Sequence, residues 1–248
     1  MIPIKTDEQI SIMREGGLIM KSLFNYIEGE IKAGMTTKQL DGLIFEYIKQ
    51  NGADAPCLNY EGYPAATCIS VDNMVVHGIP SDGVIIKDGQ IVSVDVVIGY
   101  KGFMTDATRT YMIGKVDDLK QKLVKVTEEC FFEAVNNIRD GSPIGDIGYY
   151  VQTHAESNGF SVVRALTGHG IGHDMHESPV IPNYGKKGTG LRLKKGMVIA
   201  IEPMINAGGY DVDFLSDGWG VVTRDGKPSA HYENTVAITE SGVEILTL

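Results

Sequence analysis

QIVSVDVVIGYKGFMTDATRTYMI, residues 90–113, consists of two β-rich runs around the turn signal Gly99-Tyr100-Lys101-Gly102. Two such runs joined by a short glycine-bearing loop read as a β-hairpin. A two-residue loop at Tyr100-Lys101 pairs Gly99 with Gly102 and, counting outward, Asp95 with Asp106. Directly opposed residues share a face with Cβ atoms roughly 4.5 to 5.5 Å apart, and like charges there repel. Asp95 also interrupts the otherwise apolar run Val92–Ile98, where an unpaired buried carboxylate is costly. A divalent cation between the strands answers both objections, because carboxylate oxygens on rigid neighbouring strands suit a hard ion. The competing reading leaves one aspartate in solvent or pairs it with Arg109.

Downstream, two more acids stand among β-formers: Glu202 in MVIAIEP and Glu233 in HYENTVAIT. Each alone reads more readily as a strand-edge ion pair than as a ligand. Four carboxylates embedded in apolar strands, with a histidine cluster nearby, are better explained jointly by a metal centre. Such a donor set, rich in oxygen with some nitrogen, suits Mn²⁺, Fe²⁺, Co²⁺ or Zn²⁺ and suggests two ions.

The cluster is GHGIGHDMHE, residues 168–177, which holds His169, His173 and His176. His169 and His173 have the spacing of helical zinc ligands, but Gly168, Gly170 and Gly172 argue against a helix and for a loop or strand end. Glycines on both sides of His169 suit a close backbone approach to a ligand, which ranks His169 first and leaves His173 and His176 open. His77 follows an apolar strand and precedes a Gly/Pro turn, so it is either a cleft residue or a hydrogen-bonded core histidine. His154, on a helix, and His231, near a strand start, have no evident partner and read as structural.

The frame around these residues is helices, strands, helices, strands. Thr6 with Gln9 and Thr36 with Gln39 are capping-box signals, so helices are expected from about residue 7 to 28 and from Thr36 to the Asn51-Gly52 stop. Two further helices are expected at about 117–139 and 143–157, the latter with Pro143 in its first turn. The duplicated rhythm hints at two similar halves in an α+β arrangement. The 248 residues, 43% of them hydrophobic, suffice for a real core. A net charge of -10 without any Lys/Arg run argues against a nucleic-acid footprint or a polybasic membrane patch. Cys57, Cys68 and Cys130 form no Cys-x-x-Cys pair, so reduced thiols in the cytosol are expected. The polar start MIPIKTDEQI and the lack of a long apolar run read as neither signal peptide nor membrane anchor.

TCISVDNMVVHGIP, VSVDVVIGYKGFMTDATR, LTGHGIGHDMHESP, IAIEPMI and SAHYENTV together resemble, in order and spacing, the successive motifs of type I methionine aminopeptidases across essentially the whole chain. That resemblance implies a single catalytic domain over residues 1–248 with the pita-bread fold: two pseudo-twofold-related halves whose central antiparallel sheet is flanked by helices. It implies two divalent ions held by Asp95, Asp106, His169, Glu202 and Glu233, with Asp106 and Glu233 bridging. His77 and His176 are then catalytic histidines outside the metal shell, and His173 is a bystander. A methionine pocket is implied at Cys57, Tyr60, Tyr63, Cys68 and Trp219, side chains that suit an unbranched thioether. The expected reaction is removal of the initiator methionine by a metal-bridged water, with Glu202 as general base and a small second residue favoured. Expected partners are the N-termini of nascent polypeptides, including those still on the ribosome, and the expected form is a cytoplasmic monomer of the minimal bacterial type. Glu61, Met175 and Asn234 depart from the commonest residues at their positions, none of which is a ligand position. The rivals are a prolidase-like relative of the same fold and a non-enzymatic pita-bread binding protein, which loses ligands that here are all present.

Overall fold

A computed structural model describes residues 2–248. Helices α1 (Asp7–Glu30) and α2 (Thr37–Gln50) precede β1 (Cys68–Val71), β2 (Met74–Val76), β3 (Ile91–Tyr100) and β4 (Phe103–Met112). Helices α3 (Asp118–Val135) and α4 (Gly145–Ser157) precede the second set: β5 (Ser161–Val162), β6 (Thr167–Gly170), β7 (Glu177–Pro182), β8 (Val198–Ile201), β9 (Met204–Asn206), β10 (Val212–Phe214), β11 (Val221–Thr223), β12 (Ser229–His231), β13 (Glu233–Ile238) and β14 (Val243–Ile245). Both capping boxes form: Thr6 and Thr36 accept from the backbone N–H groups of Gln9 and Gln39, whose side chains accept from the threonine backbones in return. The fourth helix starts later than expected. Pro143 bridges Arg192 and the Ile144 N–H donates to Leu191, which ties this pair to the 191–192 segment ahead of the helix that begins at Gly145.

One antiparallel sheet runs through both halves in the order β1-β3-β4-β13-β8-β6-β7, with β14 also on β13. The halves meet at β4 and β13, where Thr108 pairs with Glu233 and Ala107 with Asn234. Val92, Val94, Val96, Ile98 and Ala107 point to one face and pack under α1 and α2. Ile199, Ile201, Val236 and Ile238 do the same under α3 and α4, against Leu123, Phe131 and Val151. Each of these Val and Ile side chains is worth ~1.5–3 kcal/mol when fully buried, which locks the period-2 alternation of the strands. The residues between them, Asp95, Asp106, Thr108, Ala200, Glu202, Glu233 and Thr235, are thereby forced to the opposite face.

The hairpin register differs from the expectation. Tyr100 pairs with Phe103, so Asp95 lies opposite Thr108 and Asp106 opposite Val97. The loop is Lys101-Gly102, with φ values of 48° and 81°. A two-residue hairpin turn with both central residues at positive φ places its glycine inside the loop rather than flanking it. The slip is two residues, and two residues preserve the face, so both aspartates still share it. Arg109 lies on the other face, where it donates to the Glu233 carbonyl and Asn234 Oδ1 and stacks on Phe24 and Tyr232. It neutralises neither aspartate. No helix of the described residues is long and apolar enough to cross a membrane.

Candidate active site

Two adjacent rows of residues cross the free face of the sheet. Asp95, Thr108 and Glu233 follow one another through the β3–β4–β13 pairing, and Glu202 comes level with Glu233 because Ile201 pairs with Asn234. One step along, Asp106 bonds through its backbone N–H and C=O to the Thr235 hydroxyl, Thr235 pairs with Ala200, and Ala200 with His169. Threonine and alanine between the longer side chains leave a hollow into which four carboxylates and an imidazole project. His169 Nε2 lies 3.7 Å from Asp106 Oδ2 and 3.6 Å from Glu202 Oε1. Its Nδ1–H donates to the Gly170 carbonyl at 2.9 Å, which selects the tautomer with a free Nε2 lone pair. The glycines beside it serve another purpose than approach to a ligand: a Cβ on Gly168 would lie 2.4 Å from the Ala200 carbonyl oxygen, and one on Gly170 2.3 Å from that of Ser178. They let β6 lie against its neighbours.

The hollow is electrostatically unfinished. Asp106 Oδ1, Glu233 Oε1 and His231 Nε2 are buried without hydrogen-bond partners. Burial raises the Asp95 carboxyl to about 6. Burial and then the neighbouring negative charges hold Asp106, Glu202 and Glu233 well above the usual carboxylate range. Burial drives His169 down to about 4 and His231 to about 3, leaving both imidazoles neutral. Unsatisfied oxygens, closely spaced carboxyls and neutral imidazole lone pairs fit a divalent cation. Asp106, His169 and Glu233 offer ligand atoms within 4.8 Å of one another, and so do Asp95, His231 and Glu233. Glu233 belongs to both groups.

His231 is the residue that the sequence reading set aside as structural. It closes β12, in a separate sheet with β9 and β5, yet its side chain is only 2% exposed and reaches the carboxylates. The signal was the spacing His231-Tyr232-Glu233, since alternate residues of an extended chain share a face.

The electrostatics predict a pH effect. An unfolded chain ionises Asp and Glu in the usual carboxylate range and has neutral His above pH ~7, whereas burial and mutual repulsion move the ionisation of Asp106, Glu202 and Glu233 to higher pH in the folded cage. The folded state then binds more protons than the unfolded one, so stability falls as pH rises. Above pH ~7, where unfolded histidines are already neutral, the Tm of the metal-free chain should therefore fall as pH rises, at roughly 2–4 °C per kcal/mol for a chain of this size. Saturating Mn²⁺ should abolish the slope. Parallel slopes with and without metal, in scanning calorimetry, would contradict the cage.

Beside the hollow opens a cavity of about 370 Å³, lined by Cys57, Tyr60, Glu61, Tyr63, Cys68, His77, Asp95, Val97, Asp106, Met175, His176 and Trp219. Every residue expected in a methionine pocket is here, together with Val97, Met175 and Glu61. Tyr63 donates to the Thr67 and Gly78 carbonyls and meets Trp219 edge to face at 5.0 Å. Asp217 accepts from the backbone N–H groups of Trp219 and Gly220, a tight turn that presents the indole. Burial pushes the Cys57 and Cys68 thiols well up, so they are apolar walls and not nucleophiles. His77 and Glu61, which both line the cavity, stand at φ 59° and 49°; such backbone strain is a known feature of functional sites.

His176 reaches the cavity from the segment after β6. Lys5 and Glu177 form a buried ion pair next to it, and Glu177 Oε1 also accepts from the His173 N–H, which fixes the segment. The Tyr60 hydroxyl lies 2.9 Å from His176 Nδ1, and the His176 ring meets His169 edge to face at 4.4 Å. His173 points elsewhere: it is exposed, lies tilted against the Phe103 ring at 4.1 Å and donates to the Gly102 carbonyl. His154 pairs with Glu129 and does not line the cavity.

Residues 11–240 match the metallopeptidase family M24. A methionine aminopeptidase of Clostridium perfringens is 46% identical over 248 residues, covering 100% of this chain and 99% of that one. The crystal structure of the methionine aminopeptidase from Rickettsia prowazekii superposes with a TM-score of 0.98 at 41% identity, with all of both chains covered. A prolidase from Pyrococcus furiosus gives a TM-score of 0.76 at 26% identity, and there the chain covers 65% of its length. The shared architecture is thus the pita-bread fold, and full-length identity on both chains separates the aminopeptidase from the prolidase. By fold, site and sequence, the chain belongs to the methionine aminopeptidases of metallopeptidase family M24.

Proposed function

We propose that the chain removes the N-terminal methionine from newly made polypeptides, with two divalent ions, Mn²⁺, Fe²⁺, Co²⁺ or Zn²⁺, in the cage of Asp95, Asp106, His169, Glu202 and Glu233. The observation that carries this reading is the adjacency of that cage to a methionine-sized apolar cavity, since Asp95 and Asp106 line both. When bound, such ions activate water as a nucleophile and polarise the scissile carbonyl. Glu202, held above the usual carboxylate range by burial and the charges of Asp106 and Asp95, then accepts the proton of the attacking water. With Tyr60 donating to Nδ1, His176 keeps an Nε2–H to donate to the developing oxyanion. His77 holds the amide on the other side of the bond and positions the peptide.

Specificity follows from the walls. Cys57, Cys68, Tyr60, Tyr63, Met175 and Trp219 enclose an unbranched thioether, with sulfur against aromatic edges. Three free, buried cysteines support a reducing compartment, the cytoplasm. The chain acts as one catalytic unit and as a monomer on nascent N-termini, including those on the ribosome.

A peptide panel under Mn²⁺, Fe²⁺ and Co²⁺ tests the reading. Met-Ala-Ser should be cleaved about 10 to 200-fold faster than Leu-Ala-Ser, the range that a methylene-sized misfit costs in an apolar pocket. Met-Lys-Ser should be slower than Met-Ala-Ser through exclusion beside the cage. Equal rates for the methionine and leucine peptides would remove methionine from the assignment, and no cleavage with any ion would favour a binding protein.

A further inference from the structure

We propose that His231 is a sixth protein ligand of the metal centre, the nitrogen donor of a second cation site formed with Asp95 and Glu233, so that each ion of the pair has one imidazole. This deepens the metallopeptidase reading and rests on the cage holding divalent ions. Two trios emerge from the geometry, Asp106-His169-Glu233 and Asp95-His231-Glu233, each with its ligand atoms within 4.8 Å of one another. They share Glu233, as a bridging carboxylate would, and each contains one histidine.

His231 Nε2 is buried and makes no hydrogen bond, so its present surroundings leave its lone pair or proton unanswered. It stands 3.8 Å from Glu202 Oε2 and 3.9 Å from Glu233 Oε2. Those separations exceed the ~2.7–3.2 Å of an N–H···O bond, which argues against a simple donor role. They match two donors sharing one ion: with metal–ligand bonds of about 2.0–2.2 Å, donors about 90–130° apart lie ~3–4 Å from each other. The residue is also placed independently of any ion. Its backbone N–H donates to Thr110 Oγ1 at 3.1 Å, that hydroxyl donates to the His231 carbonyl at 2.7 Å, and Met204 on β9 pairs with it. Four carboxylates balance two dications, and a neutral imidazole adds a donor without disturbing that balance. An imidazole at the second site favours borderline ions there, in the Irving–Williams sense, over an all-oxygen seat.

The test is Co²⁺ titration of the metal-stripped chain and of His231→Gln, followed by calorimetry and visible d–d absorption. X-ray absorption of the cobalt-saturated wild type then counts imidazoles. Wild type should take up two equivalents, with two imidazoles per cobalt pair. H231Q should retain the first equivalent and bind the second at least roughly 10 to 100-fold more weakly, the range that loss of a metal site's supporting partner costs. Should H231Q fold poorly, the imidazole count on wild type decides alone. One imidazole per pair, or superimposable isotherms and spectra for a folded H231Q, would overturn the assignment and leave a five-ligand cage standing. Failure of wild type to bind any cobalt would instead overturn the metal-centre reading on which it rests.

Discussion

Asp106→Asn and Glu233→Gln are each expected to abolish peptide hydrolysis and to remove at least one bound ion. Both carboxylates are almost completely buried, at 5% and 2% exposure, and each has one oxygen without a protein partner. Divalent ions contribute several kcal/mol to transition-state stabilisation, and at about 1.4 kcal/mol per decade the loss is on the order of 10³-fold or more. The same variants should not be less stable than metal-free wild type. Each substitution replaces with a neutral amide of the same volume a carboxyl whose ionisation burial and mutual repulsion already oppose. A folded variant with depleted metal and no turnover therefore separates chemistry from misfolding. Wild-type metal content with wild-type turnover in either variant would sink the assignment. His173→Ala is the contrasting control: it lies on the surface against Phe103 and Gly102 and should keep most activity.

His176→Ala should show the opposite pattern, full metal occupancy with turnover reduced on the order of 10² to 10³-fold, the cost of losing one oxyanion donor. His176 contacts Tyr60 and the His169 ring but belongs to neither candidate ligand trio. Since the donor acts on charge that develops during the reaction, kcat should fall more than KM rises. Calorimetric Mn²⁺ binding beside steady-state kinetics resolves the two quantities. Loss of metal affinity in H176A would make this histidine a ligand and require the roles around the cage to be redrawn.

Much of the fold was legible because local chemistry and global packing agree. Thr6-Gln9 and Thr36-Gln39 cap the helices they announce. The hairpin was legible down to the face of its residues and not to its register. Flanking glycines suggested a loop at Tyr100-Lys101, while the positive φ of the second loop position draws Gly102 inside the turn. That error moved every cross-strand partner and still left Asp95 and Asp106 on one face, because the pleat repeats every two residues.

His231 shows where reading along the chain ends. Nothing beside it in sequence except Glu233 marks it, and β12 belongs to a different sheet from the strands that carry the carboxylates. The glycines around His169 carry the same lesson: their lack of side chains was apparent, but only the approach of Ala200 and Ser178 explains what it is for.

By itself the sequence determined which residue types were available and on which face of each strand they stand. Side-chain parity, caps and turn chemistry are local, and they act over a few residues. Only the tertiary structure decided which faces meet. The β4–β13 pairing joins acids more than a hundred residues apart into two rows, and the β2–β11 pairing brings His77 to within 6.4 Å of the Trp219 ring. Burial on the face away from the helices, beside His231 of β12 and the cavity walls, then withdraws water from the carboxylates. Desolvation is a property of the surrounding volume, so the demand for a compensating cation becomes visible only when the chain is folded.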